Sequence, residues 1–147
     1  MEKQTRVFHT ASAEETMALG PELASILRGS RLVLLRGDLG AGKTTLVKGL
    51  AEAFGAAERD DVSSPTFTLM HEYRGDEISV FHIDLYRLET DRELATLGLE
   101  EMLAEDDVIL LIEWGEKFPR LMRDRDYEIT LERTGPDDRK IIVTRNK

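Results

Sequence analysis

Gly37-Asp38-Leu39-Gly40-Ala41-Gly42-Lys43-Thr44 fits the pattern G-x-x-x-x-G-K-[ST] without a mismatch. The residue types suit one task, holding a polyphosphate. Glycines let successive backbone N–H groups turn inward around an anion. A helix that begins there adds its own unpaired amides and the positive end of its dipole. Lys43 brings a mobile charge for the β and γ phosphates, and the hydroxyl of Thr44 is the type that ligates Mg²⁺ in such loops. With glycine near 7% of residues, the four fixed positions coincide by chance in about one of a few hundred chains of this length.

A phosphate site of this kind needs an acid to hold Mg²⁺ or its waters, and a group that aligns the attacking water. Such acids stand at the carboxyl ends of buried strands. Two fit: Asp84 closes Val80-Phe81-His82-Ile83, and Glu113 closes the cleaner run Val108-Ile109-Leu110-Leu111-Ile112. Glu113 is the better candidate for a metal or base role, and either acid also fits a cap or an ion pair. Thr66, in Ser63-Ser64-Pro65-Thr66, can offer a hydroxyl to a γ-phosphate as switch loops do, or belong to an ordinary proline turn. Arg87 suits a phosphate or a surface acid. Trp114 suits a base, a partner or a half-buried position. His9, His71 and His82 are scattered without ligand spacing, so no metal is assigned to them.

The elements that must position these groups follow from local pattern. Leu32 to Leu35 is a short apolar run between glycines and reads as a buried strand. Thr44 to Phe54 reads as a helix with Leu46, Val47, Leu50 and Phe54 on one face, ended by Gly55. Upstream, Ser12 and Glu15 form an S-x-x-E capping signature, followed by a helical stretch that Pro21 should kink or split. Thr66–Tyr73 and Ile78–Asp84 read as a β-hairpin around 74–77. Residues 91–107 read as a helical, acidic stretch with Leu94, Leu97, Met102 and Leu103 as its apolar positions. Tyr127–Glu132 and Lys140–Thr144 flank a turn and read as an antiparallel pair. Together these give an α/β fold, a P-loop NTPase-like mixed β-sheet flanked by helices with antiparallel hairpins.

Composition sets the outer bounds. The chain has 147 residues, one domain's worth, with 20 Lys plus Arg against 29 Asp plus Glu and a formal charge of −9. Residues 89–107 hold eight acids and one arginine, most of that charge. An acidic surface opposes direct whole-surface binding of nucleic acid but leaves room for a local basic pocket. The absence of cysteine excludes disulfides, zinc thiolates and a cysteine nucleophile. No apolar run approaches a membrane span, and MEKQTRVFHT has no apolar signal core, so a cytoplasmic address is expected.

Four blocks in this order, Gly-Asp-Leu-Gly-Ala-Gly-Lys-Thr-Thr at 37–45, Ser-Pro-Thr-Phe-Thr-Leu at 64–69, Asp-Leu-Tyr-Arg-Leu at 84–88 and Ile-Glu-Trp-Gly-Glu at 112–116, resemble the TsaE family. The resemblance runs from about Ser12 to Pro119. It implies a slow Mg²⁺-dependent ATPase that supports threonylcarbamoylation of the adenosine beside the tRNA anticodon. Its implied partners are the TsaB and TsaD proteins, with tRNA reached only through them. It further implies that Asp38, Leu39, Gly40, Ala41, Gly42, Lys43, Thr44 and Thr45 hold ATP. Thr44, Glu113 and Asp84 would serve the metal, Lys43, Glu113 and Asp84 the chemistry, and Thr66 and Trp114 would lie near the nucleotide. A small-molecule kinase on the same loop is the alternative, although no arginine-bearing lid follows Glu113, where only Arg120, Arg123 and Arg125 stand among acids. A GTPase is disfavoured because no N-K-x-D block is present.

Overall fold

The structure, a computed structural model, describes residues 4–38, 40–66 and 68–146. Among them a seven-stranded sheet runs in the order β1-β7-β6-β2-β5-β4-β3. The strands are β1 (Thr5–Thr10), β2 (Leu32–Arg36), β3 (Met70–Tyr73), β4 (Ser79–Asp84), β5 (Val108–Glu113), β6 (Tyr127–Arg133) and β7 (Arg139–Arg145). The central four, β6, β2, β5 and β4, are parallel. The edges β3, β7 and β1 pair antiparallel. The mixed sheet and its flanking helices are those expected from the sequence.

Side-chain parity along the strands divides the core. Val33, Leu35, Val80, Ile109, Leu111, Ile129 and Leu131 pack on one face with α2 (Gly20–Leu27) and α3 (Lys43–Ala53). Leu32, Leu34, Phe81, Ile83, Leu110 and Ile112 pack on the other with α4 (Asp91–Ala95), α5 (Leu99–Ala104) and α6 (Pro119–Asp124). Successive residues of a strand alternate faces. Glu113 therefore continues the row of Ile109 and Leu111, and His82 and Asp84 continue that of Val80. All three project toward α3, the helix that carries the glycine loop.

Pro21 splits the first helical stretch, as expected. The chain makes α1 (Ala13–Ala18), turns at Leu19, and restarts as α2 with the proline in its first turn, where its missing N–H costs nothing. Ser12 caps α1 by accepting from the Glu15 amide at 3.1 Å. The return bond from Glu15 goes to the Ala11 amide rather than to Ser12. The α1–α2 junction lies against α3 backbone to backbone: a Cβ on Gly20 would sit 2.2 Å from the Gly49 carbonyl oxygen, and one on Gly49 2.4 Å from that of Met17. No side chain fits at this crossing, which fixes α3 laterally.

Several expectations need correction. Thr66, Thr68 and Leu69 are not strand, and Phe67, within the expected run, lies outside the described residues. Thr68 and Leu69 both donate to the Pro65 carbonyl, and Leu69 is left-handed, so β3 starts only at Met70. The acidic stretch is two short helices: Thr90 and Glu93 form a reciprocal cap on α4, and the chain breaks at left-handed Gly98 before α5. Strand β1 and helix α6 were not foreseen. Strand β1 is a polar edge held by β7, and its largely exposed side chains give no apolar signal.

Candidate functional site

Strands β2, β4, β5 and β6 all bring their carboxyl ends to the same edge of the sheet, where open α/β sheets take ligands. There the chain leaves β2 at Arg36, crosses the glycine loop and enters α3 at Lys43. Gly42 precedes the helix with a φ of 102°, a left-handed backbone that only glycine adopts freely, and it supplies no side-chain cap. The first amides of α3 thus receive no side-chain cap from Gly42.

A cleft of about 730 Å³ opens over this helix end. Asp38, Gly40, Gly42, Lys43, Thr44 and Thr45 line one side, and Ser64, Thr66, Asp84, Tyr86, Glu113, Trp114 and Arg139 line the rest. Of the described residues proposed from sequence, the cleft gathers all but Ala41 and Arg87. Ala41 sits behind the loop with its methyl in the core. Leu39 lies outside the described residues.

The charged centre is tight. Lys43 Nζ donates to the Gly37 carbonyl at 2.7 Å and lies 3.3 Å from Glu113 Oε1. The two side chains are only 10% and 6% exposed. On its other oxygen Glu113 accepts from His82 Nε2 at 2.6 Å. His82 is fully buried, and its Nδ1 meets no hydrogen-bond partner among the described residues. Burial alone would push the Glu113 carboxyl up. The hydrogen bond and charge of His82, then those of Lys43, outweigh it and hold the carboxyl below its ordinary value of 4.5. Glu113 is thus an anion at neutral pH, buried beside the loop lysine.

Asp84 stands next to Glu113 in register on the neighbouring strand and is equally buried. Its contacts differ. Oδ1 accepts from the Tyr86 amide at 2.9 Å, and Oδ2 accepts from the Thr66 hydroxyl at 3.2 Å. Thr66 shares a 2.7 Å hydroxyl contact with Ser64. Asp84 therefore ties the 64–69 loop to the cleft, whereas Glu113 ties the lysine. Trp114 follows Glu113 in a left-handed conformation, with its ring 5.6 Å from Lys43 Nζ and 5.1 Å from the Tyr86 ring. Tyr86 is 58% exposed and forms the outer lip.

Sequence reasoning passed over His82, Tyr86, Ser64 and Arg139. His82 has no ligand spacing in the sequence, because its partner lies 31 residues away on the adjacent strand. Among the described residues no group of three His, Cys, Asp or Glu could hold a metal unaided. The Thr44 hydroxyl at the start of α3 and the strand-end acids Glu113 and Asp84 do face the same cleft. That is the sparse oxygen donor set on which Mg²⁺ relies when water and phosphate complete its shell. Arg120, Arg123 and Arg125 bond elsewhere, to Glu100, to Asp124, and to Glu128 and the Met122 carbonyl.

A mixed sheet with parallel central strands, and a strand, glycine loop and helix at their carboxyl edge, defines a P-loop NTPase-like α/β fold. The family model for "Threonylcarbamoyl adenosine biosynthesis protein TsaE" matches residues 10–141. The tRNA threonylcarbamoyladenosine biosynthesis protein TsaE of Bacillus subtilis is 36% identical over 137 residues, 93% of this chain and 84% of that protein. The Streptomyces coelicolor protein of the same name is 44% identical over 134 residues, 86% of this chain and 87% of its own length. The crystal structure of Bacillus subtilis YdiB superimposes with a TM-score of 0.76 at 30% identity, covering all of this chain and 89% of that one. The chain belongs to the TsaE family. Among the described residues no helix is long and apolar enough to cross a membrane.

Proposed function

We propose that this chain is a Mg²⁺-dependent ATPase that supports the threonylcarbamoylation of tRNA, acting on a TsaB–TsaD complex in the cytoplasm. The observation that carries the reading is the buried Lys43–Glu113 pair at the head of α3, inside a cleft wide enough for a nucleotide. Family membership supplies the pathway, because the relatives are named for it.

The loop amides of residues 40–45 and the Lys43 ammonium would bind the phosphates, where backbone donors to an anion contribute about 1.5–3 kcal/mol each. Thr44 and Glu113 would hold Mg²⁺, which supplies charge neutralisation on the phosphates when bound. The contacts favour a division between the two acids. Glu113 is committed to Lys43 and so to the phosphate side. Asp84 reaches the Thr66 hydroxyl and is better placed to order the 64–69 loop and a water near it. Trp114 and Tyr86 would close the outer side of the cleft. Arg120, Arg123 and Arg125, the arginines weighed for a kinase-type lid, bond away from the cleft, which favours the ATPase over the kinase.

The test is ATP turnover with and without purified TsaB and TsaD, beside mass analysis of nucleosides from the substrate tRNA. The reading expects phosphate release without any small acceptor, faster with the partners, and modified tRNA only when all proteins and ATP are present. Turnover strictly dependent on a small-molecule acceptor would replace it with the kinase.

A further inference from the structure

One cleft residue has no place in the phosphate motif and lies far from it in sequence. Arg139 opens β7 and reaches back 98 residues to the glycine loop. Its Nε donates to the Ala41 carbonyl at 2.9 Å and its Nη2 to the Gly40 carbonyl at 3.3 Å. Its Nη1 faces the other way, into the turn between β6 and β7. There it donates to the Asp138 carbonyl at 2.9 Å and lies within 3.4 Å of those of Gly135 and Pro136. Thr134 and Asp138 close that turn with a backbone bond of 3.0 Å.

We propose that Arg139 is the positioning residue that sets the curl of the phosphate loop. A trans peptide holds its N–H and C=O antiparallel. Drawing the Ala41 carbonyl outward to Arg139 therefore turns the Gly42 N–H inward, toward the cleft. With Gly42 left-handed, the amides of Gly42 and Lys43 then converge as an anion nest. Drawing the Gly40 carbonyl outward likewise aims the Ala41 N–H at Asp38, whose carbonyl it meets at 2.9 Å, which closes the first turn of the loop. The same guanidinium stands beside the nest as a permanent positive charge. Lysine is no substitute, since a point ammonium cannot span loop and turn with a planar fork.

The inference rests on the reading of the cleft as a nucleotide site, and the experiment separates the two. ADP and a non-hydrolysable ATP analogue are titrated calorimetrically into the wild type, Arg139→Ala and Arg139→Lys, all with Mg²⁺. The backbone amides of Gly42 and Lys43 are followed by NMR without ligand. The expected result is an affinity about 10- to 100-fold lower in Arg139→Ala, the loss that goes with one charge-assisted bond. The factor is the same for ADP and the ATP analogue, because loop amides cradle the phosphates they share. Arg139→Lys recovers little of it. Free guanidinium partly restores Arg139→Ala and not Arg139→Lys, a rescue that loss of a mere turn staple would not show in affinity. Without ligand the Gly42 amide shifts in both variants. Should Arg139→Ala fail to fold, Arg139→Lys alone carries the same expectations. Wild-type affinity in a folded variant, or an unmoved Gly42 amide, overturns the proposal. A wild type that binds neither nucleotide overturns the nucleotide reading instead, and the Gly42 amide still judges Arg139.

Discussion

Replacing Glu113 with glutamine keeps its size and removes one charge. The fully buried His82 donates to Oε2, so the amide oxygen takes that place and the new NH₂ faces Lys43. Donor then meets donor, and an ammonium only 10% exposed loses its counter-ion. The sign of the effect follows from linkage. A carboxyl held below its ordinary value stabilises the fold when ionised, so neutralising it costs stability. Breaking a fully buried ion pair costs about 3–5 kcal/mol. Lys43 keeps its bond to Gly37 and borders an open cleft, so the loss of one charged hydrogen bond, about 1.5–3 kcal/mol, is the better figure. Urea unfolding of the wild type and Glu113→Gln at neutral pH measures it. Turnover should fall by about 10²–10⁴, the loss of the several kcal/mol of transition-state charge stabilisation that a bound Mg²⁺ would supply, while nucleotide affinity changes by tenfold at most. A variant as stable as the wild type would refute the ion-pair assignment. Lost binding with an unchanged rate per bound nucleotide would refute the catalytic one.

Lys43→Ala should abolish ATP turnover with the fold retained by circular dichroism, and a wild-type rate would put the chemistry elsewhere. The stability advantage of the wild type over Glu113→Gln should not diminish from pH 8 down to about 5 and should shrink only below 4.5, because the depressed carboxyl loses its contribution as the pH falls through its folded-state value. A difference that fades between pH 8 and 6, followed by denaturant melts, would contradict that sign. Gly49→Ala should cost at least about 1–3 kcal/mol by overpacking, since its Cβ meets backbone on Met17 that cannot swing aside; an unchanged melting temperature would show that the helix crossing is looser than described.

The glycine loop between β2 and α3 was legible because its signal is local: glycines, lysine and threonine at fixed offsets, with an apolar run before and an amphipathic run after. The strand-end acids were legible for the same reason, since an apolar run that stops at one carboxylate reads directly from the chain. Their separate tasks were not. That Glu113 holds the lysine and Asp84 the Thr66 loop depends on strand pairing, which brings His82 beside Glu113 from 31 residues away. Arg139 was hidden by the same cause, a long-range crossing with no periodic trace. The break at Gly98 was overlooked because leucines on either side continued the apolar pattern and masked the left-handed residue. Strand β1 was overlooked for the opposite reason: an edge strand that shows most of its side chains to solvent carries no burial pattern.

Trp114 is the only tryptophan in the sequence, and it lies 5.6 Å from Lys43 Nζ in the cleft wall. Its fluorescence during titration with ATP and Mg²⁺ reports directly on whether a polyphosphate occupies the head of α3. The expected result is a saturable change in the wild type that Lys43→Ala removes and that excess inorganic pyrophosphate competes away. A flat titration, or a change that survives Lys43→Ala unaltered, would contradict the phosphate site.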